Sequence, residues 1–186
     1  MRSQINPHFL FNGINSVYHL IDRDSEQAKK TLLNFSDLLR YQLYECNDEH
    51  VSIAKEVKSL EDFIGMEKTR RQGEVIVTTD FDIHNEGLQI SPMIFLPFLE
   101  NAFKYVSKND NSKENVIDVV LLEVDNQIKF KITNSYNPLI KGKSGESGIG
   151  YENVKKRLEL IYPDNHSLEI TNDEKMFIVN LKIKLA

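Results

Sequence analysis

The apolar residues of this chain first change their period near residue 73. Before that point they recur at helical spacing, and from Val75 onward they begin to alternate. Three helical stretches therefore come first, and strands interleaved with two further helices follow. That order predicts an α+β protein: an N-terminal helical hairpin, then a two-layer α/β sandwich of mixed sheet and helices.

Pro7 suits the first position of a helix, where its missing N–H costs nothing. A first helix is expected from Pro7 to about Ile21, with Leu10, Ile14, Val17 and Ile21 as its apolar stripe. Asp24-Ser25 opens a second, with Ala28, Leu32, Phe35 and Leu39 on one face, fading near Cys46-Asn47-Asp48. Two helices joined by a short turn form an antiparallel hairpin. Nothing within the hairpin is large enough to cover both stripes, so pairing with a second copy into a four-helix bundle is expected. Ser52 stands where an N-cap belongs, ahead of a third stripe of Ile53, Val57, Leu60 and Ile64. The domain boundary is expected between Cys46 and Val51, dividing the chain into residues 1–48 and 52–186.

Val75 to Ile83 reads as a strand. Ser91-Pro92 is expected to open a fourth helix that runs through Tyr105, and Asn109 to Asn115 reads as a polar loop. Val116–Val124 and Ile128–Thr133 form an expected hairpin around Asp125-Asn126. In its second strand Ile128, Phe130 and Ile132 alternate with Lys129, Lys131 and Thr133, the pattern of a sheet with one solvated face. Four of the eight glycines fall between residues 142 and 150, just before a fifth helix expected from Tyr151 to Tyr162. Two last strands, Ser167–Thr171 and Met176–Leu185, complete the chain.

A net charge of −5, with scattered basic residues, gives no reason to expect direct nucleic-acid binding. The one cysteine, Cys46, rules out an internal disulfide and points to a reducing compartment. No apolar stretch approaches the ~20 residues that span a bilayer, and no signal peptide is visible. Met1 stands almost at the first helix, so the sequence is expected to be cut from something longer.

Three places carry candidate chemistry. His8 shares a helical face with Asn12, Asn15 and His19, offset by about 200° from the first apolar stripe. It is thereby expected to be free to react. On the fourth helix Glu100, Asn101 and Lys104 share one face, while Phe95, Leu99, Ala102 and Val106 fall on another. An amide oxygen can bind Mg²⁺ and an ammonium can neutralise phosphate; an ordinary polar outer face is the alternative. Gly145-Glu146-Ser147-Gly148-Ile149-Gly150 leads into the fifth helix. Its glycines let N–H groups approach phosphate oxygens, and a flexible loop is the alternative. It is not a Walker-type loop, since no Gly-Lys-Ser/Thr follows.

The segments Asn6-Pro7-His8-Phe9-Leu10-Phe11-Asn12, Pro97-Phe98-Leu99-Glu100-Asn101-Ala102-Phe103-Lys104-Tyr105 and Gly148-Ile149-Gly150-Tyr151-Glu152-Asn153-Val154-Lys155-Lys156-Arg157-Leu158 resemble, in this order, the sensor histidine kinases of the LytS type. The resemblance implies a dimerising phosphoacceptor hairpin and a Bergerat-type ATP-binding domain of the gyrase and MutL superfamily. It also implies an upstream membrane sensor, which would make this the cytoplasmic portion, and a response regulator as phosphate acceptor. By position, His8 would be phosphorylated and Glu100 would position or deprotonate it. Asn101 would bind Mg²⁺, Lys104 and Tyr105 would contact the phosphates of ATP, and Gly148, Ile149 and Gly150 would form the phosphate-facing end of a lid. Asn12, one turn after His8, could orient a water for dephosphorylation; surface solvation is the alternative.

The chain also departs from that superfamily. Many members carry Asp-x-Gly-x-Gly where Asn134-Ser135-Tyr136-Asn137-Pro138 stands here. Asn134 keeps an acceptor oxygen for adenine and loses the charge. Met176 stands where a threonine often supports adenine. The expected function is a dimeric kinase core that autophosphorylates on His8 from Mg·ATP and passes the phosphoryl group to a regulator's aspartate. The alternative is a dimeric regulatory module with a degenerate, non-catalytic nucleotide site.

Overall fold

The computed structural model describes residues 7–85, 87–106, 115–136, 147–173 and 175–185; the side chains of residues 7–9, 47 and 147–150 lie outside the description. Asn6, residues 109–114 of the loop expected from Asn109 to Asn115, Asn137, Pro138, Gly145 and Glu146 fall outside it as well. The helices are α1 (Pro7–Ile21), α2 (Ser25–Tyr44), α3 (Ile53–Arg71), α4 (Leu96–Tyr105) and α5 (Ser147–Ile161). The strands are β1 (Val51–Ser52), β2 (Ile76–Asp82), β3 (Gln89–Ile90), β4 (Val116–Val124), β5 (Gln127–Ser135), β6 (His166–Asn172) and β7 (Met176–Lys184). Two compact units result: Met1–Gln72 with Gln89–Met93, and Gly73–Leu88 with Ile94–Ala186.

The first unit is helical. Asp24 caps α2 by accepting a hydrogen bond from the Gln27 N–H at 2.9 Å. The buried face of α2 runs Ala28, Thr31, Phe35, Leu38, Tyr41 and Gln42, and α3 packs along it. The compact units therefore divide after α3, at Gln72 and Gly73, rather than between Cys46 and Val51. The stripe of α3 needs the face of α2, and the Gln27 side chain donates to the Thr69 hydroxyl at 3.1 Å across the pair.

Three carboxylates of α3 are buried, and each has partners, as burial of charge requires. Glu56 accepts from the Tyr41 hydroxyl and, at 2.5 Å, from the Met93 N–H. Burial, reinforced by Glu56, pushes the Tyr41 phenol far above its ordinary pKa. Asp62 pairs with Lys58 at 2.7 Å, and Glu67 holds Arg70 in a two-pronged contact. The Glu56–Met93 bond and the antiparallel pairing of β1 with β3 attach Gln89–Met93 to this unit. Ser91 and Pro92 belong to that segment, so α4 starts at Leu96 with Pro97 in its first turn instead of at Ser91.

α1 presents its smallest residues inward. Gly13 and Ser16 are buried, while Phe11, Ile14, Tyr18 and Ile21 are 52–70% exposed. Of the expected stripe, Leu10 and Val17 are half-buried and Ile14 and Ile21 face outward. On α2, Leu32 and Leu33 are likewise more than half exposed. The reason for the small inward face is close approach. A Cβ on Gly13 would stand 2.3 Å from the Phe35 ring.

The second unit is a five-stranded sheet in the order β2-β4-β5-β7-β6, with β2 parallel to β4 and all other pairs antiparallel. Asp125 and Asn126 both take positive φ, 51° and 59°, as a two-residue hairpin turn requires. Register aligns the inner face in rows: Leu121–Phe130–Leu181, then Val119–Ile132–Val179. Their side chains are at most 1% exposed. A third row, Ile117–Asn134–Phe177, interrupts the apolar face with an amide. Helices α4 and α5 belong to this inner side, and the lysines of β5 alternate away from it.

Gly13→Ala is expected to lower the melting temperature despite alanine's higher helix propensity. Overpacking costs roughly 1–3 kcal/mol against about 1 kcal/mol gained. Adding Phe35→Leu should recover part of the loss. An unchanged or raised melting temperature for Gly13→Ala alone, followed by circular dichroism, would contradict this packing.

Candidate active site

Helix α4 separates packing from chemistry by rotation. Phe98, Leu99, Ala102 and Phe103 are 0–2% exposed. Glu100 and Lys104 are exposed, and Asn101 and Tyr105 half-buried, on the opposite side. The Lys104 ammonium lies 5.1 Å from the centre of the Tyr105 ring, a cation–π distance.

An unbroken run of aromatic rings supports this helix. Phe130 of β5 meets Phe95 at 4.9 Å and Phe98 at 5.7 Å between centroids. Phe98 meets Tyr151 of α5 at 6.0 Å, and Tyr151 stacks on Phe177 of β7 at 5.7 Å. Tyr136 adds a last contact to Phe177 at 6.4 Å. Tyr151 is also hydrogen-bonded to the side chain of Asn101. Burial, with Tyr105 close by, holds its phenol above the ordinary range; the Asn101 bond works in the opposite direction.

Asn134 is 2% exposed and occupies the third row of the inner face. Its amide nitrogen donates to the Ser135 carbonyl at 3.0 Å. Met176 pairs in register with Ser135, beside that row. Helix α5 begins at Ser147, four residues before the expected start at Tyr151. Gly148, Ile149 and Gly150 therefore lie in its first turn, where backbone N–H groups lack intrahelical acceptors.

The structure thus brings Glu100, Asn101, Lys104 and Tyr105 together on one element, joins Asn101 to α5 through Tyr151, and sets Asn134 on the same unit. His8 and Asn12 belong to the other unit. The backbone of His8 is in the first turn of α1, and its side chain lies outside the described residues. Asn12 is half-buried, and its carbonyl accepts from the Ser16 hydroxyl at 2.8 Å. Sequence reasoning missed Tyr151 and Phe177 as parts of the site. The available signal was an aromatic residue directly after Gly150. A cleft of about 360 Å³ between α2 and α3, rimmed by Asp37, Arg40, Lys55 and Lys58, contains none of the predicted site residues.

The donor set fits a magnesium–nucleotide complex. Among the described residues, no group of three or more His, Cys, Asp or Glu side chains could hold a metal by itself. Mg²⁺ commonly takes only one or two protein ligands and fills its shell with phosphate oxygens and water. Asn101 offers one amide oxygen, and Lys104 offers a cation for phosphate charge.

The histidine kinase family matches residues 1–75. The chain is 28% identical to the sensor protein LytS of Staphylococcus haemolyticus, covering 94% of this chain and 32% of that one. It is 30% identical to LytS of Staphylococcus saprophyticus, with 94% and 31% covered. With the sensor histidine kinase YpdA of Escherichia coli it shares 26% identity, with 100% and 34% covered. The solved catalytic domain of histidine kinase ThkA matches with a TM-score of 0.52 at 13% identity, covering 73% of this chain and 94% of that one. The histidine kinase domain from the Erythrobacter litoralis EL346 blue-light activated histidine kinase matches at 0.52 and 13%, with 87% and 74% covered. The chain spans about a third of the length of the curated relatives it matches. Its α+β fold is shared with histidine kinase catalytic domains. The chain belongs to the sensor histidine kinases of the LytS type.

Asn134→Asp replaces a buried donor with an acceptor against the Ser135 carbonyl. Burial and that contact raise the carboxyl's folded pKa above its unfolded value of about 3.9. The destabilisation is therefore absent below about pH 4 and grows as pH rises through the folded pKa. A loss of about 1–3 kcal/mol is expected near neutral pH, shrinking on acidification. Equal thermal stability of variant and wild type near neutral pH would contradict the observed hydrogen bond.

Proposed function

We propose that this chain is the kinase core of a two-component sensor, in which His8 accepts the γ-phosphoryl group of Mg·ATP and passes it to an aspartate in a response regulator's receiver domain. The single observation that carries the reading is the rotation of α4. Its apolar side is committed to the sheet, and Glu100, Asn101 and Lys104 are left together on the other side.

Phosphoryl transfer depends mainly on in-line positioning and neutralised charge. Asn101 would hold the magnesium ion through its amide oxygen, and Lys104 and Tyr105 would contact the phosphates. The first-turn N–H groups of Gly148, Ile149 and Gly150 would add donors from α5. Glu100 would orient the imidazole of His8 or take its proton. A neutral imidazole is a fair nucleophile near neutral pH, since its unperturbed pKa is about 6.5. Asn12 would orient a water for the reverse, phosphatase reaction. Asn134 would face adenine.

Residues 1–48 would supply the phosphoacceptor and most of a homodimer contact, and the second compact unit would bind ATP. The outward residues Phe11, Ile14, Tyr18, Ile21, Leu32 and Leu33 support self-association. The segment would lie on the cytoplasmic side of a membrane-bound sensor; no described helix is long and apolar enough to cross a membrane. One observation favours a second reading, a dimeric regulatory module with a non-catalytic nucleotide site. Asn134 already donates to the chain's own carbonyl.

Incubation of the full chain with γ-labelled ATP and Mg²⁺ separates the two readings. The kinase reading expects protein-bound label that is lost in acid and kept in alkali. His8→Gln should abolish it while binding nucleotide as the wild type does. Undiminished acid-labile label on His8→Gln would overturn the assignment of His8, and no label on the wild type would favour the regulatory module.

Self-association has its own test. A large apolar side chain gains roughly 1.5–3 kcal/mol on full burial, so the outward face is expected to hold the full chain as a dimer in light scattering. Ile14→Glu with Tyr18→Glu should give a folded monomer. A wild type that stays monomeric at high micromolar concentration would contradict the dimer.

A further inference from the structure

The chain passes from one compact unit to the other after Gln72, after Leu88 and after Met93. These crossings are built differently. At the first, Gly73 takes φ +86°, and among the described residues a Cβ added there would meet no atom within 4 Å beyond its chain neighbours. At the second, Leu88 is half-buried and Gln89 exposed. The third has no slack. The Met93 N–H is held in the helical unit by the Glu56 carboxylate at 2.5 Å. The next two residues, Ile94 and Phe95, are 1% and 0% exposed and belong to the second unit. Phe95 already lies against Phe130, and α4 begins at the following residue without a side-chain cap.

Met93 is also strained. Its φ is 54°, a left-handed conformation disfavoured for any residue with a Cβ and kept only where the surrounding structure enforces it. The Glu56 oxygen that accepts the Met93 N–H also accepts the Tyr41 hydroxyl. Glu56 and Tyr41 are buried, so solvent offers these groups little alternative. One carboxylate oxygen on α3 thus ties α2 to the residue that leads into α4.

We propose that Glu56 is a positioning residue for phosphoryl transfer: it locks Met93 in the left-handed conformation, and Tyr41 gives α2 a hold on that lock. The inference rests on the reading of His8 as phosphoacceptor and of α4 as part of the nucleotide site. Those two belong to different units, and Met93 is a joint on the chain between them. Without the lock, Met93 relaxes to negative φ and the lead into α4 changes direction. The nucleotide contacts proposed for the second unit are untouched by that change. Delivery of the imidazole in line with the phosphoryl group is not, because transfer depends on orientation.

The test measures Mg·ATP affinity by calorimetry and the rate of acid-labile labelling at saturating Mg·ATP, on the full chain. The variants are Glu56→Ala, Glu56→Ala with Met93→Gly, and Tyr41→Phe. Glu56→Ala should label about 10-fold more slowly than wild type at unchanged affinity. Adding Met93→Gly should recover part of the rate, since glycine takes positive φ about as readily as negative; a mere packing defect would not be relieved that way. Tyr41→Phe removes one hydroxyl, keeps the ring and carries the test if Glu56→Ala does not fold. It should slow labelling about 3-fold at unchanged affinity. A readout without nucleotide accompanies these. The Met93 amide should exchange with solvent slowly in wild type and about 10-fold faster in Glu56→Ala.

Labelling at the wild-type rate in Glu56→Ala or in Tyr41→Phe overturns the positioning role and leaves the phosphotransfer reading standing. So does slower labelling that lost affinity explains, or a rate that Met93→Gly does not recover. Fast exchange of the Met93 amide in the wild type overturns the lock itself. A wild type that takes no label overturns the phosphotransfer reading and the positioning role together.

Discussion

Phe130 lies against both Phe95 and Phe98, at 4.9 and 5.7 Å between ring centres, and this contact sets the rotation of α4 on the sheet. A helix turns about 100° per residue, so fixing one face fixes the others. With Phe98, Leu99, Ala102 and Phe103 buried, Glu100, Asn101 and Lys104 must look away from the sheet. Burial of each large apolar side chain contributes roughly 1.5–3 kcal/mol, far more than the polar groups could gain by turning inward. The arrangement of the candidate active site is thus a consequence of core packing. The same run of rings continues through Tyr151 to Phe177 and ties the start of α5 to β7.

The helical unit is built on different terms. Its centre contains three buried carboxylates, Glu56, Asp62 and Glu67, each satisfied by named donors. Removing one partner would strand a charge, which is costly, so these pairs specify how α2, α3 and Gln89–Met93 assemble. α1 joins through Gly13 and Ser16 and keeps its large apolar residues outside. The histidine proposed to accept phosphate therefore sits on a helix whose small residues meet α2 and whose large apolar residues face outward.

Much of this was legible in the sequence, and the exceptions have physical reasons. The alternation of Ile128, Phe130 and Ile132 with lysines placed β5 and its inner face, and Asp125-Asn126 marked the hairpin turn. The two faces of α4 followed from helical spacing. Periodicity shows where apolar residues lie along a helix and says nothing about which partner covers them. That is why the inward face of α1 and the allegiance of α3 were missed. β1 and β3 have two residues each, too few to show a period. Their pairing moved Ser91-Pro92 away from α4. The grouping of Glu100, Asn101 and Lys104 on one side of α4 was readable because these residues are neighbours in sequence. The bond between Asn101 and Tyr151 was not, since fifty positions separate them and only the tertiary contact of α4 with α5 joins them.

The central claim is that α4 carries its core contacts and its phosphate chemistry on separate faces. Glu100→Gln tests it most directly, because the substitution keeps size and removes only the exposed carboxylate. Mg·ATP affinity and the rate of acid-labile labelling should be measured on the same preparation. The account predicts unchanged affinity and melting temperature with markedly slower labelling. Labelling at the wild-type rate, or a loss of affinity that by itself explains the slower labelling, would contradict it.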